Sequence, residues 1–255
     1  LEDGLVPRQL RWQPGTVPER EGLEPADQMV VLKNFVRALA MRQGRSVTFM
    51  PRWSESADSQ SIHLHISMLD KAGAPIFYED GAKNGIGETF RHFLGGLQAY
   101  IGDLSLLFMP TVNSYRRFAP GTFAPPGLTW GYENRTTCFR VVGHDPKSLR
   151  VENRLPGADT NPYLTVAATL AAGVAGIINK IEPQAEVIGN GHGADGPDFA
   201  RSMPEAIERL TGSEFARDWL GDSFVDGFAA TRQSQLNQFA AKVPDVELQR
   251  FFDLG

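Results

Sequence analysis

Two short runs carry the residue types from which a charged reaction centre can be built: Ile62-His63-Leu64-His65-Ile66-Ser67-Met68 and Arg150-Val151-Glu152-Asn153-Arg154. In an extended strand alternate side chains share a face. His63, His65 and Ser67 then point one way and the apolar Ile62, Leu64, Ile66 and Met68 the other, the pattern of a half-buried strand. On the second run Arg150, Glu152 and Arg154 share a face. Carboxylate and imidazole ligate hard or borderline cations, while guanidinium groups hold carboxylate or phosphate. The combination points to anionic chemistry: a metal, a polyphosphate and a carboxylated substrate on one sheet.

Each feature alone has a plainer reading. A histidine pair on a strand is commonly a hydrogen-bonded core or surface pair, and an Arg-Glu-Arg row equally describes a salt-bridged ladder. Further arginines shift the balance: Arg116 and Arg117 in Asn113-Ser114-Tyr115-Arg116-Arg117-Phe118, and Arg135 and Arg140 in Asn134-Arg135-Thr136-Thr137-Cys138-Phe139-Arg140. They sit in low-charge, Pro-rich or strand-like surroundings, which suit anion capture better than a solvated surface does.

The elements that must position these residues are readable from periodicity. Glu24 to Gln43 predicts an amphipathic helix with Val30, Val31, Leu32, Phe35, Val36, Leu39 and Ala40 on its apolar stripe, ended by Gly44. Ser46 to Met50 reads as a strand, and the polar loop Arg52 to Ser61 leads into the histidine strand. Gly87 to Met109 predicts a second long helix with Phe90, Phe93, Leu94, Leu97 and Ile101 on one stripe. Pro110 to Trp130 shows no periodicity and reads as a long functional loop covering the site, with Arg117 inward. Phe139 to Val142 and Leu149 to Arg154 form a hairpin around Gly143-His144-Asp145-Pro146. Asn161 followed by Pro162 starts a buried helix reaching Ile178. Short helices follow from Pro204, and Ser223 to Phe252 is a polar helical region. The fold class expected is α+β, with antiparallel strands carrying the site and helices on the outer face.

Composition narrows the partners. With 255 residues, 42% hydrophobic and 22% charged, the chain can bury a sizeable core as a soluble globular protein. A net charge of −5 argues against nonspecific nucleic-acid binding. The single cysteine, Cys138, excludes an intrachain disulfide and fits a reducing compartment. Beside Phe139 it reads as a small buried residue rather than a nucleophile. Leu1-Glu2-Asp3-Gly4 is no secretory leader, and the apolar stretch Tyr163 to Ile178 is too short to span a bilayer. No membrane or nucleic-acid partner is expected, and the expected location is cytoplasmic. Because the chain does not begin with Met, a processed or truncated piece is one reading.

Six blocks, in order, resemble the C-terminal catalytic region of the glutamine synthetase family. They are Thr48 to Pro51 (TFMP), His63 to Ser67 (HLHIS), Asn113 to Gly121 (NSYRRFAPG), Glu133 to Val141 (ENRTTCFRV), Arg150 to Arg154 (RVENR) and Pro156 to Leu164 (PGADTNPYL). NSYRRF, TWGYENR and HLHIS are most similar to the gamma-glutamylpolyamine synthetase branch. The resemblance implies a curved antiparallel sheet with flanking helices over residues 25–255, after a divergent segment 1–24 and without the family's N-terminal β-grasp domain. It implies an ATP-dependent ligase using Mg²⁺ or Mn²⁺, which phosphorylates the glutamate side-chain carboxylate and lets ammonia or an amine attack the γ-glutamyl phosphate. The parent protein would be a ring-shaped homo-oligomer.

Carried onto this chain, the resemblance makes His63 and Glu152 metal ligands, and His65, Ser67, Arg140 and Arg150 ATP contacts. Arg117, Arg135 and Arg154 become the clamps on glutamate and on the transferring phosphoryl group, with Arg135 and Arg154 catalytic. Departures are equally specific. Around Pro14-Gly15, places of a metal- or glutamate-binding Glu or Gln hold Arg11, Thr16 and Pro18, with Glu19 one residue off. The Gly-rich approach to the histidine strand is replaced by Asp58-Ser59-Gln60-Ser61. Phe123 stands where a glutamate deprotonates ammonium in glutamine synthetase proper, which fits a bulkier or less polar amine. The alternative is a catalytically impaired binding or structural protein that has kept the ATP side and lost a metal site.

Overall fold

The computed structural model describes residues 6–13, 20–119 and 121–254. Five strands form one sheet in the order β1-β2-β5-β4-β3: β1 (Val6–Gln13), β2 (His63–Leu69), β3 (Trp130–Tyr132), β4 (Phe139–Val142) and β5 (Arg150–Asn153). The first three pairings across the sheet are antiparallel, but β3 and β4 run parallel, so the sheet is mixed rather than wholly antiparallel. The 133–138 connection between them is far shorter than an ordinary parallel crossover. It closes because Glu133 adopts a left-handed φ of 49° and the Thr137 hydroxyl donates to the Asn134 carbonyl. β1 falls in a segment whose sequence showed no periodicity.

The alternation read from the histidine run is the one that folds. Leu64, Ile66 and Met68 are buried in the core with Phe139, Val141 and Val151 of the neighbouring strands. At about 1.5–3 kcal/mol for each large apolar side chain fully withdrawn from water, this face fixes the strand register. A slip of one residue would put His63 and His65 in the core.

The helices are α1 (Glu24–Arg42), α2 (Glu88–Tyr100), α3 (Ser105–Phe108), α4 (Pro162–Ile178), α5 (Met203–Gly212), α6 (Glu214–Leu220), α7 (Asp222–Ala240) and α8 (Asp245–Phe251). The predicted stripe Phe90, Phe93, Leu94, Leu97 and Ile101 is fully buried. The single helix expected over Gly87 to Met109 instead breaks after Tyr100, where Asp103 accepts a hydrogen bond from Ser213. α4 starts as predicted, the Asn161 side chain accepting from the N–H groups of Tyr163 and Leu164. α2 and α4 cross backbone to backbone. A Cβ on Gly96 would lie 2.2 Å from the Ala172 carbonyl, and one on Gly176 2.2 Å from that of His92.

Two further expectations fail. Ser46 to Met50 forms no strand; the Thr48 hydroxyl takes the Met50 N–H, a local bond that competes with strand pairing. α1 exists as predicted but turns a different face inward. Its buried residues are Pro25, Ala26, Met29 and Lys33, while Val31, Phe35 and Leu39 are exposed. Lys33 is drawn in because its Nζ donates to the Thr160 carbonyl at 3.0 Å. Burial pushes that ammonium down to about 8. Cys138 is fully buried as expected, which pushes its thiol up to about 12.

Candidate functional site

Register brings the charged residues together. His65 of β2 and Arg140 of β4 both stand opposite Glu152 of β5. In an antiparallel pair, opposed residues share a face. Glu152 is therefore the centre of a ring built from three strands, and it is buried at 2% exposure. Its Oε1 lies 2.6 Å from His63 Nδ1 and 4.0 Å from His65 Nε2. Arg154 Nη1 donates to the same oxygen at 3.3 Å, and Arg140 Nη1 donates to Oε2 at 3.1 Å. Arg140 also pairs with Glu133 through its other Nη.

These partners decide protonation. Burial alone would raise the Glu152 carboxyl, but the His63 hydrogen bond and the electrostatic attraction of His63, His65 and Arg154 to the carboxylate at the acid pH where it titrates outweigh it and hold the group at about 2. Burial lowers His63, more than Glu152 raises it. His63 is thus a neutral imidazole at pH 7. Since a carboxylate only accepts, the His63 proton sits on Nδ1, and Nε2 accepts from the Ser61 hydroxyl at 3.0 Å. Arg150 Nε donates to His65 Nδ1 at 3.2 Å, so His65 carries its proton on Nε2, facing Glu152. Arg150 is itself steadied by the Ser148 carbonyl at 2.7 Å.

Beside this ring lies a cavity of about 400 Å³ that His63, Arg117 and Arg154 line. Its other walls are two loops, Arg52 to Ser61 and Arg117 to Pro125, which place Arg52, Glu55, Asp58 and Phe123 on the same space. Arg117 is 2% exposed and donates to the carbonyls of Leu155 at 2.7 Å and Arg154 at 3.2 Å. Among the described residues its buried Nε has no hydrogen-bond partner. Burial pulls this guanidinium down to about 10. The 110–130 loop, with a 3-10 turn at Ser114–Phe118, thus presents Arg117 inward beside Arg154.

The two loops are tied to each other. Asn113 accepts from the Arg52 N–H at 2.9 Å and donates to the Arg52 carbonyl at 2.8 Å. Asp159 holds the same loop from beneath, accepting from the hydroxyls of Thr111 at 2.6 Å and Ser114 at 2.7 Å. Asn113→Ala should cost about 1–2 kcal/mol in chemical denaturation, from two lost part-buried hydrogen bonds. It should also speed hydrogen exchange in residues 52–61. Unaltered exchange there would show that something other than Asn113 holds the loop.

Of the residues singled out from sequence, His63, His65, Arg140, Arg150, Glu152 and Arg154 come together, with Arg117 beside Arg154 on the cavity wall. Ser67 shares the histidine strand, part-buried, one pleat beyond His65. Arg135 does not join them: it is exposed and lines a separate cavity with Glu133 and Glu186. The left-handed Glu133 and the Asn134 turn carry it away. The Arg11 backbone pairs with His65, while Pro14, Gly15, Thr16, Pro18 and Glu19 lie outside the described residues. Sequence reasoning missed Arg52, Glu55, Ser61, Glu133 and Asp159. Strand parity extended two residues back from His63 would have found Ser61.

The family model for the glutamine synthetase catalytic domain matches residues 16–251. The chain belongs to the glutamine synthetase family. It is 40% identical over 233 residues to the gamma-glutamylethanolamide synthetase of Streptomyces coelicolor, covering 91% of this chain and 49% of that protein. It is 34% identical over 238 residues to the glutamate–isopropylamine ligase of a Pseudomonas species, covering 92% and 52%. The ligand-free structure of GmaS superposes with a TM-score of 0.84 at 30% identity, covering 93% of this chain and 55% of that one. The chain thus spans about half the length of the curated relatives it matches. Among the described residues no helix is long and apolar enough to cross a membrane.

A divalent ion, which the glutamine synthetase family implies, meets a donor set of suitable chemistry. Glu152 is ionised, His63 is neutral, and both are in the form that ligates. They supply only one carboxylate and one imidazole, and among the described residues no group of three or more His, Cys, Asp or Glu is arranged to hold a metal. The remaining ligands must come from phosphate oxygens and water.

Proposed function

We propose that the protein containing this chain is an ATP-dependent ligase that joins the γ-carboxylate of glutamate to an amine through γ-glutamyl phosphate. The observation that carries this reading is the ring around Glu152: a buried carboxylate flanked by two imidazoles and two guanidiniums at the edge of a cavity holding Arg117. Ammonia in place of the amine would make glutamine; Phe123 in the cavity wall favours the larger nucleophile.

In this reading His63 and Glu152 hold the divalent ion, Mg²⁺ or Mn²⁺. When bound, that ion supplies charge neutralisation for the phosphate oxygens. His65, Ser67, Arg140 and Arg150 face the nucleotide. Arg117 and Arg154 hold the substrate carboxylate and the phosphoryl oxygens, and their buried Nε groups are donors that the described protein atoms leave over. The 110–130 loop limits water at the acyl phosphate. Arg135, exposed on another cavity, has no place in this assignment. Dependence on ATP suits a cytoplasmic location, and the exposed apolar rows of α1 and α8 suit burial in a homo-oligomeric ring.

The test is phosphate release by the full-length protein with ATP, Mg²⁺, glutamate and a panel of primary amines. Release that requires both glutamate and an amine supports the reading. Release without glutamate, or none with any amine, would refute it.

A further inference from the structure

Glu133 follows β3 in a conformation that a glutamate seldom adopts. Its φ of 49° is left-handed, a region that glycine or asparagine occupies at lower cost. Either of those would close the short β3–β4 connection as well, so the turn alone does not explain a glutamate there. Its carboxylate does what they could not. Oε2 pairs with Arg140 Nη2, and Oε1 accepts a long hydrogen bond, 3.4 Å, from the Gly143 N–H. The stability gained is small, because the Glu133 side chain is 45% exposed and ion pairs at such sites add little. Backbone strain held without a matching gain in stability is the mark of a residue that positions a site.

The guanidinium that Glu133 holds is also held by Glu152. Arg140 Nη1 donates to Glu152 Oε2 at 3.1 Å, so its two terminal nitrogens are divided between a buried carboxylate and an exposed one. The two contacts differ in how they survive substrate. On the ligase reading Glu152 turns to the divalent ion and loosens its hold on Arg140, while Glu133 keeps the guanidinium in place. The Gly143 contact extends that hold. A Cβ on Gly143 would lie 2.3 Å from the Ser148 carbonyl, so the two ends of the β4–β5 turn press together. The same carbonyl accepts from Arg150 Nη1 at 2.7 Å. One carboxylate braces Arg140 directly and Arg150 through the turn.

Resting on the ligase reading above, we infer that Glu133 is a positioning residue for the nucleotide. It keeps Arg140 fixed when Glu152 takes the ion, so the polyphosphate meets guanidiniums already in place and less ordering is left to binding. It acts through Arg140 and touches neither the ion nor the phosphates.

The test is calorimetry of a non-hydrolysable ATP analogue with Mg²⁺ on the full-length protein in its native assembly. Glu133→Gly frees the backbone and removes the carboxylate; Glu133→Gln keeps the shape and removes the charge. Each should weaken the analogue roughly tenfold, while the KM for glutamate moves by less than about threefold. Glu133→Gly should melt close to the wild type, relief of strain offsetting glycine's extra freedom in the unfolded chain. In an Arg140→Gln background, Glu133→Gly should change analogue affinity by less than about twofold, because the residue it acts through is gone. Affinity within about threefold of the wild type in either single variant would overturn the inference alone. So would an undiminished loss in the Arg140→Gln background, or a lowered melting temperature with equal losses for glutamate and nucleotide. A wild type that binds no ATP analogue overturns the ligase reading, and the inference with it.

Discussion

Glu152→Ala should lose about 3–5 kcal/mol of stability and, on the ligase reading, all measurable product formation. Removing one member of a buried ionic cluster leaves the others unpaired, here Arg140 and Arg154 on one side and the imidazole of His63 on the other. Glu152→Gln keeps the volume and one acceptor oxygen, so it should cost less in stability while still removing the charge. The two variants separate packing from charge, and pH separates them further. The Glu152 carboxyl is held at about 2 against an ordinary 4.5, so its contribution is fully present above 4.5 and is lost as pH falls through about 2. That contribution amounts to roughly 3 kcal/mol. The lowered His63 imidazole acts in the same direction, beginning to cost stability as pH falls below its ordinary 6.5. Urea denaturation of wild type and Glu152→Gln at a series of acidic pH values should therefore show the wild type falling more steeply below pH 4.5. Parallel curves would mean that the charge around Glu152 contributes nothing to the fold.

How much of this was legible in the sequence depends on how local each cause is. The face of β2 could be read because strand parity is local and Leu64, Ile66 and Met68 admit no other burial. The Asn161-Pro162 start of α4 is equally local. Convergence on Glu152 is not local: Arg140 reaches it only through the β4–β5 register, and His65 only through β2–β5. Parity put each residue on a face, while the family resemblance supplied the company. α1 was misread because Val31, Phe35 and Leu39 look like a core stripe. What decides its orientation is Lys33 reaching Thr160, a contact 127 residues away. The parallel β3–β4 pair rests on one left-handed residue and a three-residue strand, too short to show a period. Arg135 lies on another cavity for a related reason, since a match in a motif fixes sequence position but not the turn that aims the side chain. Glu55 passed unnoticed because an acidic residue in a polar loop resembles ordinary solvated surface until the cavity it lines is known.

Divalent-ion binding should depend on nucleotide by roughly 100-fold. On the described protein side, one imidazole and one carboxylate leave most of an octahedral shell to water, and Mg²⁺ gives up its water reluctantly. The carboxylate is moreover already satisfied by the two guanidiniums and by the His63 proton, which the ion must displace. An ATP analogue changes both terms. Its phosphates offer further oxygen ligands, and they offer Arg140 and Arg154 an alternative anion, loosening their hold on Glu152. Each tenfold is 1.4 kcal/mol, so 100-fold needs only about two such exchanges. Calorimetry with Mn²⁺, with and without a non-hydrolysable ATP analogue, measures the coupling directly. By linkage the ion must tighten the analogue by the same factor, so the two titrations check each other. His63→Ala should weaken the ion in the presence of the analogue, with a far smaller effect in its absence. Tight binding of two ions to the bare protein would show that residues 14–19 carry ligands after all, with Glu19 the first to replace.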